Sequence, residues 1–253
     1  PPRSTLFPYT TLFRSYPTTW SNLMRDSVYA GMPEYAEKYS SGQTNGTHWV
    51  PAEVDVSIRP GWYYHPEQDD KVKSLKKLMD IYYESVGRNG SLLLNFPVDK
   101  RGLIHENDIR QLQAMAKQIK VDFAHNLARE SKASTSSYRG KGYEAKRVLD
   151  GDKKTYWATA DNVIQASLTI EFNQSTTFNR LLVQEYIQLG QRVKSFVVEA
   201  RNDGAWREII RETTIVYKRI LRFTDVTATA VRLKILDSKA CPTISNVEIF
   251  YAP

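Results

Sequence analysis

The sequence predicts two parts, an α/β region followed by an all-β region. Strand-like and helix-like patterns alternate up to about residue 127, a polar stretch of small residues follows, and short β-rich runs fill the remainder. Alternating strands and helices favour a parallel α/β sheet or barrel. Several short strands separated by turn residues favour a β-sandwich.

The first predicted strand covers residues 47–58 and carries two carboxylates, Glu53 and Asp55. Side chains on a strand alternate between its faces, so both carboxylates point away from the apolar Val54 and Val56. A row of carboxylates on one face of an apolar strand either meets water or lines a polar site.

The next elements continue the alternation. Residues 69–86 predict a helix with Asp69 or Asp70 at its N-cap, because apolar residues recur at three and four positions. The apolar run SLLLNF, residues 91–96, predicts a strand buried on both faces. Residues 108–121 predict a second helix by the same periodicity.

The region after the linker contains β-rich runs and no long helical pattern. The runs are SLTIEF, RLLVQEYI, SFVVEAR, WREII, KRILRF, AVRLKIL and ISNVEIFY. Turn residues separate them, so we expect each run to be a separate strand of a sandwich.

Composition excludes several classes of protein. The 253 residues are 41% hydrophobic, and no apolar run approaches the roughly 20 residues of a membrane span, which predicts no membrane insertion. The net charge is +7, but the basic residues are scattered among acids, which predicts no nucleic-acid partner. The single Cys241 excludes an internal disulfide and is predicted to be a small buried residue.

Residues 1–15 are predicted to be foreign to the protein. The segment PPRSTLFPYTTLFRS has neither a helical period nor the features of a signal peptide. It is the codon-by-codon translation of a string that resembles a short-read sequencing adapter. We therefore expect native sequence to begin near Tyr16, with an α/β domain at 16–128 and a β-sandwich domain at 129–253.

Two motifs in the α/β part, NGTHWVPAEVDVSIRPGWYYH and SVGRNGSLLLNFPVDKRGLI, closely resemble family-29 α-L-fucosidases. The branch that prefers α-1,3- and α-1,4-linked fucose is the most similar, and the resemblance covers about residues 20–126. It implies the C-terminal part of a (β/α)8-like barrel followed by a β-sandwich. It also implies a periplasmic or extracellular enzyme that removes terminal fucose from fucosylated glycans and needs no organic cofactor.

The same resemblance implies that Glu53, in the PAE motif, is the general acid/base of a retaining glycosidase. Retention needs a second carboxyl group about 5–5.5 Å away. The family supplies this nucleophile from a WFDG-like motif that the sequence lacks, so we expect the chain by itself to be an inactive fragment. Asp55 cannot serve, since it neighbours Glu53 on the same strand, and it is predicted to pair with Arg59.

Other residues of the motifs are candidates for sugar contact. Trp49, Trp62 and His65 could pack on a deoxy sugar, although packing within the protein is an open alternative for each. Asn95 could order the site or cap the backbone at the end of its strand. His105 is predicted to lie at the surface.

In the β-rich part, AKRVLDGDKKTYWAT and LVQEYIQLGQRVKSFVVEA resemble discoidin-like, coagulation-factor-type C domains, many of which bind carbohydrate. The resemblance implies a structural calcium, because that ion prefers oxygen ligands; a metal-free turn is the open alternative. The ligands would be Asp150, Asp152, Thr155 and Glu248. Trp157 is predicted to pack in the sandwich core.

Two rival functions stay open. In the first, the protein binds carbohydrate through the β-sandwich alone, for example with Tyr138 or Tyr143. In the second, the barrel has lost catalysis. An aspartate in a WFDG-like context upstream would favour the enzyme over both.

Overall fold

The computed structural model describes residues 19–21, 43–46, 48–50 and 53–253, with side chains for 43–46 and 54–253. The chain divides into two compact units. The first comprises residues 1–42 and 47–121, and the second comprises residues 43–46 and 122–253. Within the described residues, no helix is long and apolar enough to cross a membrane.

The described residues of the first unit form two pairs of strands and two helices. The strands are β1 (Thr19–Ser21), β2 (His48–Val50), β3 (Glu53–Ser57) and β4 (Ser91–Asn95), and the helices are α1 (Leu75–Ser85) and α2 (Glu106–Asp122). β1 and β2 are antiparallel, whereas β3 and β4 are parallel and are connected through α1. The predicted strand–helix–strand–helix order is confirmed for β3, α1, β4 and α2.

The two faces of the parallel pair differ. Val54 and Val56 on β3 are buried, as are Leu78 and Ile81 on α1. Leu93 of β4 pairs with Asp55 and is 51% exposed, so the prediction that this strand is buried on both faces is wrong. Paired residues of parallel strands share a face, which places Leu93 on the same side as Asp55.

The first helix begins later than predicted. Its N-cap is Ser74, whose hydroxyl accepts a hydrogen bond from the backbone N–H of Lys77 at 3.4 Å. The predicted cap at Asp69 or Asp70 is wrong, because Asp69 binds side chains of the preceding loop instead. Short 3₁₀ turns lie at Pro66–Gln68 and Val86–Arg88, on either side of α1.

The second unit is a seven-stranded, mainly antiparallel sheet folded into a sandwich-like body. Its strands are β5 (Lys132–Thr135), β6 (Trp157–Ala158), β7 (Ala166–Glu185), β8 (Val193–Asn202), β9 (Ala205–Glu212), β10 (Arg219–Ser238) and β11 (Thr243–Phe250). The order is β6-β11-β7-β10-β8-β9, with β5 paired to β7. Further 3₁₀ turns lie at Ala145–Val148 and Ile187–Leu189.

Two long strands shape this unit. β7 contains both SLTIEF and most of RLLVQEYI, and β10 contains most of KRILRF and all of AVRLKIL, so the prediction of separate strands is wrong there. Register shifts at residues 222–226 and 228–230 bend the β7–β10 pair. Each long strand thus pairs with different neighbours along its length: β5 pairs with the first half of β7 and β11 with the second.

The core of the sandwich includes Trp157, as predicted. Its side chain is fully buried, and its indole N–H donates to the carbonyl of Ser137 at 2.9 Å. Cys241 is also buried, as predicted, but its surroundings are polar. The guanidinium groups of Arg139 and Arg192 donate to its sulfur at 3.1 and 2.9 Å.

Candidate active site at the ends of two parallel strands

The carboxyl ends of β3 and β4 are joined by Asn95. Its side-chain amide donates to the hydroxyl of Ser57 at 3.2 Å and to the carbonyl of Trp62 at 3.1 Å. The Ser57 hydroxyl donates to the carbonyl of Gly61 at 2.7 Å. Asn95 therefore caps the backbone of the RPGW turn, which the sequence left as one of two alternatives.

Arg59 is the buried centre of this turn. Its side chain is fully buried, and Nε donates to both carboxylate oxygens of Asp108 at 3.1 and 2.9 Å. Nη1 donates to Asp69 at 2.8 Å. Burial lowers the pKa of Arg59, but hydrogen bonds and charge from Asp108 and Asp69 outweigh it and raise the pKa above its ordinary value. The predicted pair of Arg59 with Asp55 is wrong, since its bonded carboxylates are Asp108 and Asp69.

Two aromatic side chains, Tyr64 and His105, also lie against the carboxylate of Asp69. The hydroxyl of Tyr64 donates to its carboxylate at 3.2 Å, and Nε2 of His105 lies 3.4 Å from the same oxygen. The rings of Tyr64 and His105 stack at 5.9 Å. Partial burial acts to raise the pKa of Asp69, but hydrogen bonds from Arg59 and Tyr64 outweigh it and hold the pKa below its usual value.

Sequence reasoning missed this network. His105 was expected at the surface, but its side chain is only 19% exposed, so that prediction is wrong. Arg59 and Asp108 are 49 positions apart, and no local pattern signals such a pair. One signal was available in the sequence. An arginine directly after an apolar strand is expected to be buried, and a buried charge requires a partner of opposite charge.

The predicted catalytic glutamate lies away from this cluster. Glu53 is the first residue of β3, opposite Ser91, whereas Ser57 and Asn95 form the last pair. Ser57 lies four positions after Glu53 on the strand, which is about 13 Å at 3.3 Å per residue. The structure therefore does not bring Glu53 together with the Asn95 cluster.

The remaining sugar-contact candidates are dispersed. Trp49 lies on β2, opposite Trp20 of β1. Trp62 is partly buried and its carbonyl is held by Asn95. The His65 side chain is 52% exposed, with Nδ1 at 3.6 Å from Glu67. Trp62 and His65 thus belong to the loop that the Arg59 network shapes, and Trp49 precedes β3.

The predicted calcium ligands form a closed turn. The Thr155 hydroxyl donates to the Asp150 carboxylate at 2.7 Å, and the backbone N–H groups of Asp152 and Lys154 are bound by Asp150 and Asp152. Glu248 accepts from the Asn246 amide at 2.9 Å. Across the described ranges, no group of three or more His, Cys, Asp or Glu could hold a metal. Calcium binding at this turn stays a prediction, and a calcium titration tests it.

The sandwich contains one buried carboxylate that the sequence analysis did not single out. Glu185 is 1% exposed and accepts backbone N–H groups of Arg192, Val193 and Val216 at 2.8–2.9 Å. Burial raises its pKa to about 7, although those hydrogen bonds oppose the shift. Val216 has a φ of +62°, a conformation that is costly for a β-branched residue. Its N–H and its carbonyl both bind Glu185, which holds it there.

Comparison with known proteins gives the same two parts. Residues 10–122 match the alpha-L-fucosidase family and residues 131–249 match the F5/8 type C domain. Alpha-L-fucosidase 1 of Arabidopsis thaliana is 37% identical over 241 residues, which cover 92% of this chain and 47% of the plant protein. The family match begins inside the segment 1–15, and the foreign origin of this segment stays a prediction.

Solved structures also match across both units. A Bacteroides thetaiotaomicron protein solved as a candidate alpha-L-fucosidase has a TM-score of 0.83 at 36% identity, covering 97% of this chain and 54% of that chain. A Ruminococcus gnavus GH29 fucosidase in complex with fucose has a TM-score of 0.78 at 30% identity, covering 84% and 43%. The chain spans about half the length of the curated relatives it matches.

Proposed function

Because residues 10–122 belong to the alpha-L-fucosidase family and residues 131–249 form an F5/8 type C domain, we propose that the chain is part of a retaining exo-α-L-fucosidase. The whole enzyme would hydrolyse terminal α-linked L-fucose from glycans outside the cytoplasm. The observation that carries the proposal is the order of the two segments, because one solved structure matches 97% of the chain across both.

The first unit would be the last part of the (β/α)8-like barrel of this enzyme. In such barrels the active site is built by loops at the carboxyl ends of the strands. The loop after β3, from Arg59 to His65, leaves such an end and is fixed by Asn95 and by the Arg59 network. We assign it to the sugar-binding wall, with Trp62 packing on the methyl group of fucose.

The proposed chemistry follows the retaining scheme. A carboxylate attacks the anomeric carbon while a carboxylic acid protonates the departing oxygen, and the second group then takes a proton from water that hydrolyses the fucosyl-enzyme. Glu53 enters as the proton donor on the resemblance alone. Glu53 is the first residue of β3, at the opposite end of the strand from Ser57, which makes it the first residue to test.

We further propose that the chain alone does not release fucose. Its described part contains one parallel strand pair, where a complete barrel has eight parallel strands. The attacking carboxylate would therefore come from other strands of the whole enzyme.

The experiment is an assay of the intact enzyme, obtained from the gene that encodes this chain, on an aryl α-L-fucoside. We expect fucose release, and we expect Glu53→Gln to slow turnover by about 10²–10⁴-fold if Glu53 is the acid/base. Asp55→Asn, two residues further along the same strand, is the matched control and should stay near the wild-type rate. Wild-type turnover in the Glu53→Gln enzyme removes the catalytic assignment, and an intact enzyme without fucosidase activity removes the proposed function.

A second candidate function is carbohydrate binding by the sandwich alone. Three tyrosines favour it: the rings of Tyr156 and Tyr186 stack at 4.3 Å, and Tyr143 lies 5.2 Å from Tyr156. The guanidinium of Arg139 lies over Tyr143 at 5.5 Å. Titration of the chain with fucosylated oligosaccharides, comparing wild type with Tyr143→Ala, tests this function without any turnover.

A further inference from the structure

A short turn from the α/β part of the sequence is held by the sandwich. Residues 43–46 group with the second unit, and the N–H of Gly46 closes the turn on the carbonyl of Gln43 at 3.1 Å. Lys239 donates its ammonium to the carbonyl of Gly46 at 2.7 Å. Gln191 donates its side-chain amide to the carbonyl of Gln43 at 3.4 Å. Two side chains of the sandwich thus bind the two ends of one turn.

The loop that holds the turn is itself fixed. Glu185 binds the N–H groups of Arg192 and Val193, which sets the backbone beside Gln191. The N–H of Lys239 donates to the carbonyl of Arg192 at 2.7 Å, so the two holding residues belong to one hydrogen-bonded loop pair. Gln191 is only 4% exposed. The turn therefore binds to an ordered surface of the sandwich.

The turn lies shortly before two strands of the first unit. Gly46 lies two residues before β2 and seven before Glu53, the first residue of β3. We propose that Lys239 and Gln191 are positioning residues: by holding the 43–46 turn, they fix the backbone that enters β2 and β3. This inference rests on the proposed function, because it makes the F5/8 type C domain a working part of the hydrolase rather than an appended binding module.

The physical reason is that catalysis tolerates little displacement of the reacting groups. A misplacement of about 1 Å, even by a change far from the reacting atoms, can cost about 10²-fold in rate. A strand whose preceding segment is anchored has fewer conformations than one that follows a free loop. The bonds from Lys239 and Gln191 to the 43–46 turn supply this restriction.

The first test uses the whole chain and needs no activity. Lys239→Met removes the ammonium and keeps most of the side-chain volume, and the matched control is Lys132→Met on the exposed part of β5. We expect backbone amide exchange in residues 43–50 to accelerate about fivefold, as loss of one hydrogen bond of about 1 kcal/mol predicts. Exchange in α1 should stay unchanged. Equal exchange of residues 43–50 in the wild type and in both Lys239→Met and Gln191→Leu overturns the inference.

The second test uses the intact enzyme. Lys239→Met should lower kcat about 10–100-fold while KM stays within about twofold, since a displaced strand affects the reacting geometry more than binding. Lys132→Met should leave both constants unchanged. An unaltered kcat in Lys239→Met overturns the positioning role. If the wild-type enzyme releases no fucose, the proposed function fails and the positioning role falls with it, whereas the exchange experiment still decides whether the turn is anchored.

Discussion

At the scale of single residues, buried charges decide how this protein responds to its solution. Glu185 has an ordinary pKa of 4.5 and a folded pKa of about 7, because burial disfavours its charged form. Between these values the folded state binds the proton more tightly than the unfolded state. The stabilisation is complete below about pH 4.5 and is lost as the pH rises through 7, by up to about 3 kcal/mol.

We predict that the free energy of unfolding depends on pH more steeply in the wild type than in Glu185→Gln. Urea unfolding of the wild-type chain at several pH values between 4.5 and 8 should show this loss, and Glu185→Gln should lack that component. The variant should be less stable than the wild type at low pH, since its amide offers one acceptor oxygen where the two oxygens of Glu185 bind three N–H groups, and this difference should narrow as the pH rises. Parallel pH dependences in the two proteins contradict the assignment.

Arg59 gives a second prediction at this scale. Arg59→Met leaves the fully buried Asp108 without the Nε–H that both of its oxygens share, and breaking such a buried pair costs about 3–5 kcal/mol. Arg211→Met is the control, because Arg211 is 58% exposed and its pair with Glu208 is worth about 0–1 kcal/mol. Denaturant midpoints of the two variants measure the contrast. A loss at Arg59 no larger than at Arg211 would show that Asp108 has another partner.

At the scale of elements, the start of α1 in the structure differs from the start that the sequence predicts. Ser74→Ala should cost about 1 kcal/mol in the free energy of unfolding, because it removes the acceptor at the N-cap. Asp70→Ala, at the exposed position that the sequence favoured, should cost less than about 0.5 kcal/mol. Chemical denaturation decides between the two, and equal losses would mean that the helix is capped elsewhere.

The strands show why the rest of the fold was only partly predictable. Residues 173–177, NQSTT, have the chemistry of a turn and are mostly exposed, so periodicity divides β7 there. The pairing with β10 nevertheless continues, with the hydroxyls of Thr177 and Thr227 2.8 Å apart. Local patterns found the apolar halves of each strand, whereas their continuity depends on a partner some 50 positions away.

At the scale of the whole molecule, the candidate site was predictable where each of its parts lies within one motif. The RPGW turn lies in the first motif and Asn95 in the second, and the structure joins them. The Arg59 network and the anchored turn join residues separated by 49 and by up to 193 positions, which no short motif encodes. Motif resemblance also named Glu53, while only the strand register showed its distance from Asn95.

The chain as a whole should be inactive on aryl fucosides. The reason is the single parallel strand pair of its described part, because a retaining site needs carboxylates from two sides of the bond. The measurement is fucose release at high protein concentration, with the intact enzyme as the positive control. Turnover by the chain itself, with Glu53→Gln as the check against a contaminant, would refute this expectation.

The anchored turn has a consequence for recombination between relatives. Consider a hybrid in which everything after residue 122 is replaced by the equivalent part of another fucosidase. Lys239 would be exchanged while Gly46 is kept, so the bond between them would be lost although residue 122 is the division between the two units. Two parent proteins would be compatible only if the second half of one supplies a donor such as Lys239 for the turn at residues 43–46 of the other. Inheritance of the two halves should therefore be coupled, and shuffled libraries should return few working crossovers at this boundary.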